Sequence, residues 1–331
     1  MFGPAIDNGF YYDFARKEPF TTEDFAKIEA KMHEIVKRDE KIERFVLPRN
    51  EAVKFFTDKG EHYKAEIIND LPEDEVISLY KQGDFIMFLR PVIAHRGFSN
   101  NYPENTMIAF EKAIEIGAKC IETDVTILKD GTLVLFHDYE TKEHSNYDGI
   151  INDLDYNAIK EIDAGSWKDA KFSSARIPTL KELIDLAKRN NTIVNLELKG
   201  EAGKNEKYWE SIVENTVKTV ADNKAEDLIF YSSFEFDMLR TLKKISKSAK
   251  FGILLWEETD NWKNIADELK PQSMHLYDQT VTEKLAKDIK KENYELYVYT
   301  VNSVDLANKL YSYGVDGVFT DMPDIFSKDL Y

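Results

Sequence analysis

Four short groups of charged and imidazole side chains stand out in this sequence because each lies at or near the end of an apolar run. These groups are His95-Arg96-Gly97, Glu122-Thr123-Asp124, His137-Asp138 and Glu197-Leu198-Lys199. Residues i and i+2 of an extended strand point to the same side, so Glu122 and Asp124 share one face, as do Glu197 and Lys199. The spacing therefore allows side chains that bind cations, bind anions and transfer protons to act together in one site.

The carboxylates predict a site for a divalent metal ion. Glu122, Asp124 and Glu197 would repel one another in a barrel interior, and a divalent cation would remove that cost. Zinc is less favoured than a hard cation, because zinc usually recruits His or Cys. Mg²⁺ and Ca²⁺ both accept carboxylate oxygens, so the choice between these two ions stays open.

The remaining ionisable groups fit the chemistry of a phosphodiester. Arg96 and Lys199 supply positive charge for phosphoryl oxygens. His95 and His137 exchange protons near neutral pH, so one would assist the attacking hydroxyl and the other would protonate the departing alcohol. These groups together predict a phosphodiester hydrolase. Direct attack by water and a route through a cyclic phosphate both stay open.

The composition excludes several other classes of protein. The 331 residues include 44 basic and 61 acidic side chains, a net charge of −17, with no Lys/Arg-rich block, which disfavours nucleic acid as a partner. The single cysteine, Cys120, excludes a disulfide framework and a cysteine-rich zinc site. No apolar run is long enough to span a membrane and no secretory signal is visible, so we expect a cytoplasmic protein.

Residues 91–331 alternate apolar runs with helical segments, which predicts parallel βα units. Strands are expected at residues 92–95, 120–127, 133–137, 192–199, 227–231, 251–255, 273–276, 295–300 and 317–320. With about eight such units, a closed (β/α)8 TIM barrel is favoured over an open doubly wound sheet. No Gly-rich nucleotide-binding loop opens any of the helices.

Nine strands are expected where an eight-stranded barrel has places for eight, and a hairpin explains the extra one. Only Lys129-Asp130-Gly131-Thr132, without a helix, separates the second strand from the third. Asp-Gly favours a two-residue turn. That turn would place His137 opposite Asp124 and bring the two groups together.

Residues 1–90 predict a separate, small α+β domain. A capped amphipathic helix is expected from Phe25, Ile28, Met32 and Ile35, which recur at helical spacing. Strands are expected at 42–47, 64–68 and 76–80. The chain would then consist of an N-terminal domain at 1–90 and a barrel with a short inserted lobe at 91–331.

The sequence of the second part resembles the glycerophosphodiester phosphodiesterases over about residues 91–326. The four groups above carry this resemblance, together with the following motifs: Pro103-Glu104-Asn105-Thr106, Ala164-Gly165-Ser166-Trp167, Ile177-Pro178-Thr179-Leu180, Thr300-Val301-Asn302 and Gly314-Val315-Asp316-Gly317. The resemblance implies a TIM barrel that hydrolyses glycerophosphodiesters to sn-glycerol 3-phosphate and an alcohol, with Mg²⁺ or Ca²⁺.

The resemblance also implies the role of each site residue. His95 and His137 would be the acid–base pair, Arg96 and Lys199 would contact phosphate, and the three carboxylates named above would hold the metal. Tyr299 stands where family members often have Trp, which keeps an aromatic wall. The inserted lobe between His137 and Pro178 is short and polar, which implies an open site and a small or exposed head group.

Residues 1–90 resemble the later part of the editing domain of threonyl-tRNA synthetase. The segments that carry this resemblance are residues 3–14, Tyr63-Lys64 and residues 79–85. Lys64 is the matching site residue, whereas Met87-Phe88-Leu89-Arg90-Pro91 lacks the Asp, Cys and His of that family's site. This segment is therefore expected to be non-catalytic. Its strands have lost partners, so an unpaired edge could dock or dimerise.

His33, His62 and His144 lie in polar surroundings and are expected to be solvated, whereas His275 is expected in the core. Trp256 and Tyr277 could line the barrel mouth. A phospholipase-D-like activity on lysolipids or sphingomyelin is an alternative that the polar lobe disfavours. A non-catalytic tRNA- or synthetase-interaction role of residues 1–90 is another, which the acidic balance disfavours.

Overall fold

The computed structural model describes residues 5–6, 9–10, 22–38, 42–60, 62–70, 77–82, 85–88, 91–200, 206–257 and 259–326. The chain divides between Arg90 and Pro91 into two compact units. In the described part of the chain, no helix is both long enough and apolar enough to cross a membrane.

The first unit mixes short strands and three helices. Its elements are β1 (Ala5–Ile6), β2 (Gly9–Phe10), α1 (Thr22–Lys37), β3 (Ile42–Leu47), α2 (Arg49–Asp58), α3 (His62–Asp70), β4 (Ile77–Gln82) and β5 (Phe85–Phe88). Strands β3, β4 and β5 form an antiparallel sheet in that order, and β1 pairs with β2. The α2, α3 and β4 elements share a small core of Ala52, Phe56, Ala65, Ile68, Ile77 and Leu79.

One expectation for this unit is wrong. Residues 64–68 form part of helix α3 and not a strand, because Ala65 and Ile68 are spaced for one face of a helix and both are buried there. The helix expected around Ile28 is present as α1, and the Ile28 side chain is 43% exposed. The side chains of Phe25, Met32 and Ile35, like most of residues 3–14, lie outside the described residues.

The second unit repeats strand and helix along the chain. Its elements are β6 (Val92–Ala94), α4 (Met107–Glu115), β7 (Cys120–Ile127), β8 (Leu133–Leu135), α5 (Tyr156–Ile159), α6 (Leu180–Asn190), β9 (Ile193–Leu198), α7 (Glu206–Asp222), β10 (Ile229–Ser233), α8 (Phe236–Ile245), β11 (Phe251–Leu255), α9 (Trp262–Leu269), β12 (Ser273–Tyr277), α10 (Glu283–Lys291), β13 (Glu295–Tyr299), α11 (Val304–Ser312) and β14 (Gly317–Thr320).

Eight of these strands, β6, β7 and β9 to β14, are parallel and close into a barrel, because β6 pairs with both β7 and β14. This confirms the predicted (β/α)8 TIM barrel. The helices pack their apolar faces against the outer surface of the barrel. Helix α6, for example, begins with a Thr179–Glu182 capping box and buries Leu180, Leu183 and Ile184. The carboxyl ends of the strands therefore meet at one mouth.

The additional strand, β8, forms the expected hairpin with β7, but its register differs by one residue from the prediction. Strand β8 pairs antiparallel with β7, with Val125 opposite Leu135, and the N–H of Phe136 donates to the carbonyl oxygen of Asp124. The predicted pairing of His137 with Asp124 is therefore wrong.

The turn explains the shift. The N–H of Leu128 donates to the carbonyl oxygen of Thr132, so the loop holds three residues and not two. Gly131 ends this loop with φ +88°, the left-handed conformation that three-residue hairpins require at that point.

The inserted lobe follows the hairpin and has an apolar core of its own. Phe136, Ile151, Leu154, Ile159 and Ile162 pack together there with parts of β8 and the hairpin turn. The lobe, which was expected to be short and polar, therefore also contains a small apolar core.

Candidate active site

Three carboxylates, two of them buried and the third half-buried, meet at the mouth of the barrel. Each of Glu122, Asp124 and Glu197 offers an oxygen atom, and these three atoms lie within 4.8 Å of one another. Strands β7 and β9 bring them together, since Asp124 pairs with Glu197 in the parallel register. Glu122 and Asp124 are only 3% and 1% exposed, so water screens their charges little.

The surroundings shift the pKa values of these carboxyls in different directions. Burial, followed by repulsion from Asp124 and Glu197, raises the pKa of Glu122 well above its usual range. Burial also raises the pKa of Glu197, although Lys199 opposes the shift. At Asp124, burial alone would raise the pKa, but Arg96, His137 and Lys199 outweigh it and lower the value. The repulsion is thus only partly neutralised by protein cations.

Arg96 lies among these carboxylates at the end of β6. Its backbone N–H donates to Glu122 Oε2 (2.9 Å), one guanidinium nitrogen donates to Glu104 Oε1 (2.7 Å), and Nε is 3.5 Å from Asp124 Oδ2. Burial would lower the pKa of Arg96, but these three acids raise it, so the guanidinium stays charged. Glu104 was part of a quoted motif, yet sequence reasoning gave it no role.

Lys199 is the second cation of the cluster. Its Nζ lies 3.3 Å from Glu197 Oε1 and 3.8 Å from Asp124 Oδ1. Burial would lower the pKa of Lys199, but Glu197 and Asp124 raise it above the usual value. The four carboxyl groups of the cluster, Glu104 included, therefore outnumber the two protein cations beside them.

His95 is fixed by a carboxylate that sequence reasoning missed. Its Nδ1 is 2.6 Å from Asp321 Oδ1, and the same carboxylate accepts bonds from Ser99 Oγ (2.9 Å) and Asn302 Nδ2 (2.7 Å). The other ring nitrogen, Nε2, lies 3.9 Å from Glu122 Oε2. Asp321 directly follows β14, and β14 pairs with β6 where the barrel closes. This pairing brings Asp321 next to His95, although 226 positions separate the two residues in the sequence.

His137 is held in the same manner by its neighbour in sequence. Its Nδ1 is 2.6 Å from Asp138 Oδ1, and Asp138 Oδ2 is 2.6 Å from Nδ1 of His144. The expectation that His144 is solvated is wrong: its ring packs edge-on against Trp167, with 4.5 Å between centroids, and its Nε2 lies 3.8 Å from Glu104 Oε2. The fold of the lobe brings this histidine back to the site, which spacing alone does not reveal.

Several of these groups line one cavity of about 400 Å³. His95, Arg96, Glu122, His137 and Glu197 line one part of it, and an aromatic wall of Trp256, Tyr277, Tyr299 and Phe234 lines another. The wall matches the expectation that Trp256 and Tyr277 lie at the barrel mouth.

The aromatic wall is built from stacked rings. Trp256 stacks on Tyr277, with centroids 4.2 Å apart and planes 10° from parallel, and half of the Trp256 surface stays exposed. Tyr299 is the more buried member, and its hydroxyl donates to the carbonyl oxygen of Leu255 (2.7 Å). The wall therefore offers a flat apolar face beside the charged cluster.

The other histidines are not among the described residues that line the cavity. His33 and His62 are exposed, as expected. His275 is buried in the barrel, where its Nε2 is 2.7 Å from Ser273 Oγ and burial lowers its pKa to about 3. The expectation of a core histidine is confirmed.

Comparison with known proteins gives a consistent result for the barrel. The sequence model of the glycerophosphoryl diester phosphodiesterase family matches residues 95–325. A glycerophosphodiester phosphodiesterase of Caldanaerobacter subterraneus subsp. tengcongensis is 35% identical over 234 residues, which are 70% of this chain and 94% of that protein. One from Bacillus altitudinis is 32% identical over 237 residues, which are 95% of its length.

A solved structure supports the same comparison. A phosphodiesterase of Oleispira antarctica, in complex with the product sn-glycerol-3-phosphate, is 31% identical and superposes with a TM-score of 0.69. The match covers 73% of this chain and 97% of that one.

The N-terminal segment is similar to a different protein. A threonine–tRNA ligase of Rickettsia bellii is 56% identical over 101 residues, and one of Acetivibrio thermocellus is 61% identical over 84 residues. These matches cover 30% and 25% of this chain, but only 16% and 13% of the ligases. The resemblance of the N-terminal segment is confirmed, over a small fraction of the ligase.

Proposed function

Because this chain belongs to the glycerophosphoryl diester phosphodiesterase family and is a phosphodiesterase, we propose that its hydrolysis of glycerophosphodiesters is metal-dependent and uses two histidines. The products would be sn-glycerol 3-phosphate and an alcohol. The observation that carries the proposal is the convergence of three carboxylates, two cations and two imidazoles at the mouth of one barrel.

Glu122, Asp124 and Glu197 would hold the metal ion. The donor set fits a hard cation, because all three ligands are carboxylates and their oxygens lie within 4.8 Å of one another. The excess of negative charge in the cluster supports the same conclusion. When bound, Mg²⁺ or Ca²⁺ would supply positive charge near the phosphoryl oxygens.

Arg96 and Lys199 would bind the phosphate of the substrate. Both cations are half-buried at the carboxylate cluster, and both keep their charge because acids surround them. Charge that develops on the phosphoryl oxygens would meet donors already in place, which lowers the cost of reorganisation. Tyr299 and its aromatic neighbours would contact the carbon part of the substrate.

His95 and His137 would transfer the protons. A carboxylate accepts a bond from Nδ1 of each ring, so Nε2 is the nitrogen left for a reacting oxygen. One imidazole would accept a proton as the attacking oxygen bonds to phosphorus. The other would donate a proton as the bond from phosphorus to the alcohol oxygen breaks.

Single histidine replacements test this proposal. We expect His95→Ala and His137→Ala to lower kcat by a factor of at least about 100, because each removes one proton transfer. The measurement is release of sn-glycerol 3-phosphate from a glycerophosphodiester by the metal-loaded chain. His33→Ala, at an exposed position, is the control. Near-normal kcat in either site variant, with an intact fold, would contradict the acid–base assignment.

We also propose that residues 1–90 take no direct part in hydrolysis. The described side chains that line the cavity, from His95 to Phe319, all belong to the second unit. Lys64, the residue that matches the synthetase editing site, lies on α3 with its Nζ 5.3 Å from the centre of the Phe56 ring.

A further inference from the structure

We propose that His144, on the inserted lobe, is a positioning residue for hydrolysis: it holds Asp138 in place, and Asp138 in turn fixes the ring of His137. The inference deepens the proposed function and rests on it, because it takes His137 as a proton-transfer group. His144 itself would not touch the reacting atoms.

The geometry gives Asp138 two imidazole partners. Its Oδ1 lies 2.6 Å from His137 Nδ1, and its Oδ2 lies 2.6 Å from His144 Nδ1. Rotation of the carboxylate would break both bonds, so the second imidazole restricts the orientation of the first. These two hydrogen bonds also lower the pKa of Asp138, which keeps it an ionised acceptor.

His144 is itself held from several sides. Trp167 packs its ring edge-on at 4.5 Å, and the indole N–H of Trp167 donates to the carbonyl oxygen of Ala164 (2.9 Å). Nε2 of His144 faces Glu104 Oε2 at 3.8 Å, and Glu104 Oε1 accepts a bond from Arg96. Bonding to Asp138 and attraction to Glu104 raise the pKa of His144, although burial and Arg96 oppose the shift.

These contacts connect His137, the proposed proton-transfer group, with Arg96, the proposed phosphate-binding group. The sequence of partners runs from His137 through Asp138 and His144 to Glu104 and then to Arg96. The proposed proton-transfer group and the proposed phosphate-binding group are thus oriented by one set of contacts, whose central member belongs to the lobe.

The backbone around His144 has other supports, so a replacement of this side chain tests the ring and not the loop. Thr141 Oγ1 donates to the carbonyl oxygen of Tyr147 (2.7 Å), and Ser145 Oγ donates to the carbonyl oxygen of Thr141 (2.7 Å). The N–H of Thr141 donates to the carbonyl oxygen of Gly149 (2.9 Å). None of these bonds uses the imidazole.

The test compares His144→Leu with His144→Asn in the metal-loaded full chain. Leucine removes the donor to Asp138, whereas the amide nitrogen of asparagine sits close to the position of Nδ1 and can donate to the same oxygen. We expect His144→Leu to lower kcat about tenfold or more, with KM changed less than about twofold. We expect His144→Asn to recover most of the lost kcat. Should His144→Leu fail to fold, His144→Gln replaces it, because its amide lies near Nε2 and not Nδ1.

The controls separate failure of this inference from failure of the proposed function. Tyr156→Leu changes an exposed ring of the same lobe and should keep the kcat of the parent chain. Equal losses in His144→Leu and His144→Asn, or no loss in either while His137→Ala is inactive, would overturn the positioning role alone. Activity in His137→Ala would overturn the proposed function.

Discussion

Each predicted proton-transfer histidine donates from Nδ1 to a carboxylate 2.6 Å away, although the two carboxylates come from different parts of the chain. Asp138 is adjacent to His137, whereas Asp321 reaches His95 from the end of the last barrel strand. In both cases the bond fixes the ring orientation and leaves Nε2 for chemistry. The hydrogen bond from His95 also helps keep the pKa of Asp321 low, against the effect of burial.

Asp321 therefore has a predicted effect of its own. We expect Asp321→Asn to lower kcat at least about 100-fold, because an amide cannot hold His95 in the same tautomer or stabilise its protonated form. Steady-state hydrolysis measures the effect. Asp324→Asn, in the same terminal segment but exposed, is the matched control and should behave like the parent chain. Equal kinetics of the two variants would remove Asp321 from the site.

The carboxylate cluster predicts a pH-dependent affinity for metal. Without an ion, burial and mutual repulsion raise the pKa values of Glu122 and Glu197, so these groups hold protons more readily than ordinary glutamates. A metal ion binds the deprotonated oxygens, so affinity should rise as the pH rises through the raised pKa values. Calorimetric titration with Mg²⁺ and Ca²⁺ at several pH values measures this, and an affinity that is independent of pH would contradict it.

Loss of the ion gives the corresponding activity prediction. We expect EDTA to abolish hydrolysis and added Mg²⁺ or Ca²⁺ to restore it, because the proposed charge stabilisation needs the cation. Glu197→Gln should weaken metal binding in the same calorimetric titration. Full turnover in EDTA-treated protein shown to be metal-free would contradict a metal-dependent reaction.

At the scale of single elements, the short turn after β6 positions Arg96 beside the carboxylate cluster. Arg96 and Gly97 both have positive φ (53° and 81°), and this conformation directs the Arg96 N–H to Glu122. A Cβ on Gly97 would lie only 2.7 Å from the backbone carbonyl carbon of Ala109, at the third residue of α4. The turn thus needs glycine for both its conformation and its packing.

Two alanine substitutions separate these effects. Gly97→Ala should lower the free energy of unfolding by more than about 2 kcal/mol, because it adds a backbone clash to the cost of positive φ, and it should also lower kcat/KM. Gly131→Ala, at φ +88° with open space around the added Cβ, should cost only about 1 kcal/mol and leave kcat/KM unchanged. Denaturant unfolding and steady-state kinetics measure both. Matching effects in the two variants would show that packing against α4 is unimportant.

The same elements show which features the sequence predicts. The barrel strands were recognisable because buried parallel strands are short apolar runs, and β7 was predicted with its observed bounds. Errors arose where a local pattern fits two structures. Asp130-Gly131 fits both two- and three-residue loops, and residues 64–68 were assigned to a strand although the spacing of Ala65 and Ile68 fits a helix.

The site residues, too, were predictable only where a local sequence pattern fixes their position. The carboxylates of β7 and β9 were predictable, because strand periodicity and parallel pairing place them on one face. Asp321 and His144 were not, because their positions depend on barrel closure and on the fold of the lobe, neither of which leaves a local pattern in the sequence.

At the scale of the whole molecule, two compact units with different relatives share one chain. The barrel matches nearly the full length of phosphodiesterase relatives, whereas the first unit matches about one seventh of a threonine–tRNA ligase. The first unit has a small core of its own around Phe56, and the barrel core is a separate cluster. The proposed active site and the similarity to threonine–tRNA ligase thus belong to different parts of the molecule.

This division predicts that residues 91–331 alone hydrolyse glycerophosphodiesters. The barrel closes through β6–β14 pairing without any described strand of the first unit, and the described residues that line the cavity all follow residue 90. We therefore expect kcat and KM within about twofold of the full chain, since the energetics of the site depend on groups that contact it. The measurement is steady-state hydrolysis, with circular dichroism as the check that the barrel has folded. A folded but inactive barrel would show that the first unit supplies something the reaction needs.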